Sequence, residues 1–138
     1  MSMNASADAR RTILIVDDTP DNITLLSALL KDRYHTKVAN SGAAALHILR
    51  TLGTVDLILL DVMMPELDGY ETCRRLKADP ATAAIPVIFL TAKKRAEDEA
   101  EGRALGAVDF LSKPINPGVL FSRVAMHLAP RNALRAPD

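Results

Sequence analysis

Three aspartates and one lysine carry the chemistry that this sequence could do. Asp17 and Asp18 follow Ile13-Leu14-Ile15-Val16, and Asp61 follows Asp56-Leu57-Ile58-Leu59-Leu60. Lys113 follows Val108-Asp109-Phe110-Leu111-Ser112 and precedes Pro114. In an open parallel sheet the carboxyl ends of the strands line one edge, where ligands bind. Residues far apart along the chain would therefore meet in one pocket. Magnesium prefers oxygen ligands and is usually held by one or two carboxylates plus a phosphate. One divalent cation together with Lys113 balances three carboxylates, which would otherwise repel one another and raise their pKa values. The cluster thus suits a divalent cation and a phosphoryl group better than general acid–base work. Taken singly, an aspartate after a strand is as readily a turn former or a helix cap. Thr91 ends a fourth strand on the same edge, where its hydroxyl could meet a phosphoryl oxygen or simply cap the next helix. Lys113-Pro114 could carry a cis peptide, since only X-Pro bonds adopt that form at low cost. The sequence leaves the isomer open.

These residues need a scaffold, and the pattern of the chain supplies one. Thr12 to Val16 is an apolar, β-branched run that reads as a strand buried on both faces. Thr19-Pro20 reads as an N-cap followed by proline at the first helical position. Ile23, Leu25, Leu26, Leu29 and Leu30 give that helix its buried stripe. A short strand over Thr36 to Ala39 follows, then a helix capped by Ser41 and ended by Gly53. Asp56 to Leu60 is the third strand. Asp68, with Glu71 three residues later, looks like a capping box opening a third helix that runs to Ala78. Asp79-Pro80 breaks it. Pro86 to Leu90 is the fourth strand, Arg95 to Leu105 a charged helix closed by Gly106, and Ala107 to Leu111 the fifth strand. Asn116-Pro117 starts a last helix with Leu120, Phe121, Val124 and Leu128 on its inner side. Five β-α units in succession imply an α/β protein with a five-stranded parallel sheet, right-handed crossovers and helices on both faces.

At 138 residues one domain is expected, with residues 1–10 and 130–138 as tails around a folded unit over 11–129. Lys plus Arg equals Asp plus Glu at 17 each, so no global field favours nucleic acid or an anionic membrane. No apolar run could span a bilayer, and the first ten residues lack a signal-peptide core. A cytoplasmic location is the simplest expectation. The single cysteine, Cys73, excludes an internal disulfide and reads as a packing residue.

The chain resembles the receiver domain of two-component response regulators over about residues 11–129. The resemblance rests on Ile15-Val16-Asp17-Asp18, Asp61-Val62-Met63-Met64-Pro65 with Asp68-Gly69, Thr91-Ala92 and Lys113-Pro114. It implies a flavodoxin-like doubly wound sheet of strand order 2-1-3-4-5. It also implies that Asp61 is the phosphoacceptor, receiving a phosphoryl group from a histidine kinase or a histidine phosphotransfer protein. Mg2+ (or Mn2+) would be held by Asp18, Asp61, the backbone carbonyl of Met63 and, through water, Asp17. Lys113 would pair with Asp61 and then with the phosphoryl group, while small Ala92 leaves room for it. Thr91 and Phe110 correspond to the switch pair, although Phe110 has no hydroxyl and plain core packing is its alternative. The switched surface would comprise the fourth helix, fifth strand and fifth helix. Such a domain is not a dedicated enzyme; it catalyses its own phosphorylation and dephosphorylation. Met63 and Lys93 flank the path of attacking water in the family and are candidates for tuning the phosphoryl lifetime. Lys93-Lys94-Arg95 is alternatively a solvated charge run. A homodimer formed on phosphorylation through the fourth-helix to fifth-helix face is a further expectation; the charges there, from Arg95, Glu97, Asp98, Glu99, Glu101 and Arg103 to Asp109 and Arg123, otherwise read as solvated. The resemblance to receivers fused to cyclic-di-GMP enzymes or found in hybrid kinases leaves the output partner open.

Three other readings compete. A metal-dependent phosphohydrolase with an aspartate nucleophile would need an acid two residues after it, where Met63 stands. A flavin or nucleotide carrier would need a phosphate-cradling glycine loop after the first strand, where acidic Asp17-Asp18-Thr19-Pro20 would repel phosphate. A receiver-shaped module without phosphorylation would not need the acids, threonine and lysine that are all present.

Overall fold

The computed structural model describes residues 10–92 and 96–129. Of the expected tails over 1–10 and 130–138, residues 1–9 and 130–138 lie outside the described residues, as does Lys93. Five strands alternate with five helices. They are β1 (Thr12–Val16), α1 (Pro20–Leu30), β2 (His35–Ala39), α2 (Gly42–Thr51), β3 (Leu57–Asp61), α3 (Gly69–Ala78), β4 (Val87–Thr91), α4 (Ala96–Ala104), β5 (Asp109–Ser112) and α5 (Pro117–His127). All neighbouring strands are parallel, in the order β2-β1-β3-β4-β5.

The apolar strands alternate their side chains between two cores. Leu14, Val16, Ile58, Leu60, Val87, Phe89 and Phe110 face α2 and α3, whereas Ile13, Ile15, Leu57, Leu59, Ile88, Leu90 and Leu111 meet buried residues of α1 and α5. Every residue of β3 and β4 is buried, as a strand covered on both faces requires. The register sets Val16 beside Leu60, Asp61 beside Leu90 and Thr91 beside Ser112. The carboxyl ends of β1, β3, β4 and β5 therefore finish level on one edge.

Several boundaries differ from the sequence reading by a residue or two. Asp61 is the last residue of β3 rather than the residue after it, and β5 begins at Asp109 rather than Ala107. Asp56 leaves the strand because its carboxylate accepts from the backbone N–H of Thr12 at 2.8 Å, while its own N–H donates to the Thr12 carbonyl. Thr19 stands at the N-cap of α1 without a side-chain capping bond, and its own N–H donates to the Asp17 carboxylate. Ser41, Asp68 and Asn116 do cap α2, α3 and α5 through their side chains. Gly53 and Gly106 take φ values of +91° and +106° just past the ends of α2 and α4, the left-handed region that glycine enters without a Cβ clash.

Candidate functional site

Asp17 sits at the end of the fully buried part of β1, and its side chain is bound on both oxygens. Oδ1 accepts from the Thr19 N–H at 2.9 Å, and Oδ2 accepts from Lys113 Nζ at 3.2 Å. Asp61 closes β3 and is 3% exposed. Its Oδ1 accepts from the same Lys113 Nζ at 3.0 Å. One ammonium thus joins the ends of β1, β3 and β5. Lys113 is itself fixed from the backbone, where its N–H donates to the Thr91 carbonyl at 2.8 Å. The Lys113–Pro114 bond is cis.

Asp18 is exposed at the rim, yet carboxylate oxygens of Asp17, Asp18 and Asp61 all lie within 4.8 Å of one another. That spacing fits the oxygen shell of a hexacoordinate Mg2+, whose ligands stand at about 2.0–2.1 Å. The charges fit too, since Lys113 offsets only one of three carboxylates. The shortfall registers on Asp61. Burial pushes its carboxyl up; the Lys113 hydrogen bond pulls it down; the Asp17 charge pushes it up again, leaving it at about 6 rather than 3.8. Burial would lower the Lys113 ammonium, but Asp61 and Asp17 outweigh it and raise it above its ordinary value. The residues present are those of a divalent-cation site, with an ammonium ready to meet an anion.

The loop after β3 wraps closely around Asp61. Gly69, at the start of α3, donates its N–H to the Val62 carbonyl at 2.9 Å. A Cβ at Gly69 would stand 2.3 Å from the Asp61 carbonyl oxygen and 2.8 Å from Val62 Cα. Only glycine lets the helix begin this near the acid. Thr91 is buried at the end of β4, and Ala92 is exposed beside it. The Met63 side chain is 73% exposed. It borders a cavity of about 310 Å³ together with Val62, Tyr70, Thr91, Ala92 and Asp98. Phe110 lies in the core, 2% exposed, with its ring centroid 5.6 Å from that of Phe89.

The structure also holds elements that the sequence reading did not single out. Tyr70 meets Phe89 edge-on at 5.2 Å, beside the Thr91 cavity. Asp109, expected among the solvated charges of the fourth-helix to fifth-helix face, is instead 4% exposed. Arg123 and His127 of α5 reach it at 2.6 and 3.0 Å, and the Phe110 N–H donates to it. Burial alone would raise the Asp109 carboxyl, but these hydrogen bonds outweigh it and hold it below its ordinary value. The i,i+14 and i,i+18 separations gave no local signal of this clamp.

The five-stranded order and the strand-end acids with their lysine define a doubly wound α/β domain with an acidic, lysine-bridged site at the carboxyl edge of its sheet. The chain belongs to the response regulator receiver domain family, whose model matches residues 13–125. Over 117 residues it is 52% identical to a probable cyclic di-GMP phosphodiesterase of Vibrio cholerae, covering 85% of this chain and 26% of that protein. It is 46% identical to the response regulator PleD of Caulobacter vibrioides, covering 81% of this chain and 25% of that one. The chain thus spans about a quarter of the length of these relatives. Among solved structures, the chemotaxis protein CheY4 of Vibrio cholerae superposes with a TM-score of 0.83 at 30% identity, covering 87% of this chain and all of that one. The receiver domain of a Pseudomonas aeruginosa sensor histidine kinase, solved with magnesium coordinated in its active-site cleft, superposes with a TM-score of 0.80 at 29% identity, over 88% of this chain and all of that one. Among the described residues no helix is long and apolar enough to cross a membrane.

Proposed function

We propose that residues 11–129 form a phosphorylation-dependent receiver in which Asp61 takes a phosphoryl group from the phosphohistidine of a histidine kinase or phosphotransfer protein. One observation carries this reading: a buried carboxylate at the end of β3 shares a single ammonium with Asp17, beside a third acid at hexacoordinate-cation spacing. An Asp61 carboxylate oxygen forms the new O–P bond. The P–N bond of the donor breaks, and the imidazole keeps the electron pair and gains a proton from water. Asp18, Asp61 and the Met63 carbonyl would hold Mg2+ or Mn2+, with Asp17 on its water. When bound, the ion supplies positive charge to the equatorial phosphoryl oxygens. Lys113 turns from the carboxylate to the phosphoryl group, and Ala92 leaves room for it.

The Thr91 hydroxyl then donates to a phosphoryl oxygen, and Phe110 repacks. The surface of α4, β5 and α5 is what changes, through two states biased by the new charge. Such coupling amounts to ~1–3 kcal/mol. Dimerisation through that surface is a corollary, checked by light scattering with beryllofluoride. Met63 and Lys93 are the lifetime-tuning candidates, read out as dephosphorylation rates of their alanine variants. The likeness to a quarter of a probable cyclic di-GMP phosphodiesterase supports a response set outside these residues.

Incubation with acetyl phosphate and Mg2+, followed by intact-mass measurement, tests the reading. Wild type gains one phosphoryl group and Asp61→Asn gains none. An unmodified wild type, or full modification of Asp61→Asn, overturns it.

A further inference from the structure

Phe110 occupies the position of the switch ring without a hydroxyl, and the structure has a second ring on the same path. Tyr70, Phe89 and Phe110 form a ladder across one face of the sheet, with centroid steps of 5.2 and 5.6 Å. Phe89 and Thr91 point to that same face of β4, two residues apart. Tyr70 therefore stands at the end of the ladder nearest Thr91, where both line the cavity of about 310 Å³. The other end of the ladder is jammed against α4. A Cβ at Gly102 would lie 2.5 Å from Phe110 Cζ and 3.0 Å from Phe89 Cε2. The two rings thus pack against α4 at a position where nothing larger than glycine fits. Asp98 is four residues before Gly102, so it shares that helix face. It lines the same cavity as Tyr70, and its charge acts on the Tyr70 hydroxyl.

We propose that Tyr70 is a positioning residue of the switch, its phenol donating to the Asp98 carboxylate in the phosphorylated state and so supplying the hydroxyl that Phe110 lacks. This rests on the receiver reading above. The surroundings of the phenol agree with it. Burial, then the charges of Asp98, Glu101 and Asp68, raise the Tyr70 hydroxyl above its ordinary pKa, which keeps it a donor. A carboxylate acceptor makes the bond stronger than a neutral one, so losing it moves an equilibrium about tenfold.

The test is calorimetric titration of beryllofluoride, a phosphoryl stand-in, onto the Mg2+-loaded protein. Tyr70→Phe keeps the ring ladder and removes only the hydroxyl. It is expected to weaken beryllofluoride binding by about tenfold, while Mg2+ affinity without beryllofluoride and the thermal midpoint stay at wild-type values. Asp98→Ala is expected to give the same loss, and the double variant no further loss. Tyr70→Phe binding beryllofluoride as tightly as wild type overturns the proposal. So do additive losses in the double variant, or an equal loss of resting Mg2+ affinity, which marks a merely structural effect. A wild type that takes up no beryllofluoride overturns the receiver reading as well, which separates the two failures.

Discussion

Replacing Asp61 by asparagine should stabilise the metal-free protein, although it removes the proposed nucleophile. The carboxyl is buried beside Asp17, and folding moves its pKa from 3.8 to about 6. A tenfold change in proton affinity is worth about 1.36 kcal/mol, so holding Asp61 ionised costs the fold ~3 kcal/mol at neutral pH. The attraction to Lys113 is already inside that balance. Asparagine resembles the protonated acid in shape and keeps an acceptor for Lys113, so it avoids most of the cost. The sign follows from the raised pKa. Below 3.8 both states carry a protonated Asp61 and the cost is absent. It grows as pH rises toward about 6 and is complete above that. Urea unfolding in EDTA, at pH values from 4 to 8, should therefore show Asp61→Asn more stable by about 2–3 kcal/mol at pH 8. The gap should shrink toward zero at pH 4. Saturating Mg2+ should close it from the other side, since an ion at a hundredfold its Kd stabilises wild type by about 2.7 kcal/mol. A variant no more stable than wild type at pH 8 would refute the argument that the site is under-compensated without a cation. A gap independent of pH would refute its assignment to Asp61.

Three further outcomes follow from other parts of the molecule. Gly69→Ala drives a Cβ into the Asp61 carbonyl; it should cost about 2–3 kcal/mol in urea unfolding and weaken Mg2+ binding measured by calorimetry. Arg123→Met leaves buried Asp109 with His127 alone among its two basic partners and should cost about 1–3 kcal/mol, less than a fully buried pair because Arg123 is partly exposed. The Asp109 clamp contributes above the ordinary carboxyl pKa and is lost as pH falls through its lowered folded value, so the variant's deficit should vanish in strong acid. Thr91→Ala should still be phosphorylated by acetyl phosphate, while the amide shifts of α4 and β5 expected on phosphorylation of wild type should be missing from its NMR spectrum.

The architecture was legible because strands buried on both faces must be continuously apolar, and β1, β3 and β4 are. Their ends carry the acids and Thr91, so the parallel topology assembled the site from local patterns alone. Helix caps were legible where the capping atom is the residue's own, as at Ser41, Asp68 and Asn116. At Thr19 the N-cap position and the proline after it were legible too, although the Thr19 side chain makes no capping bond. What stayed hidden depends on side chains meeting across elements. Asp109 looks like one more surface charge until α5 folds Arg123 and His127 onto it. Tyr70 looks like a helix-face aromatic until Phe89 and Phe110 line up beside it. Gly69 belongs to a recognised motif, but only the 2.3 Å approach to the Asp61 carbonyl explains why nothing larger fits.

The central claim is that the new bond forms on Asp61. Borohydride reduces an acyl phosphate to the alcohol and so converts a phosphorylated aspartate to homoserine. Wild type should be treated with acetyl phosphate and Mg2+, trapped with borohydride, digested and mapped by mass spectrometry. Homoserine at position 61, lost when EDTA replaces Mg2+, is the result predicted. Homoserine at Asp17 or Asp18 with Asp61 intact, or none at any aspartate, would contradict it.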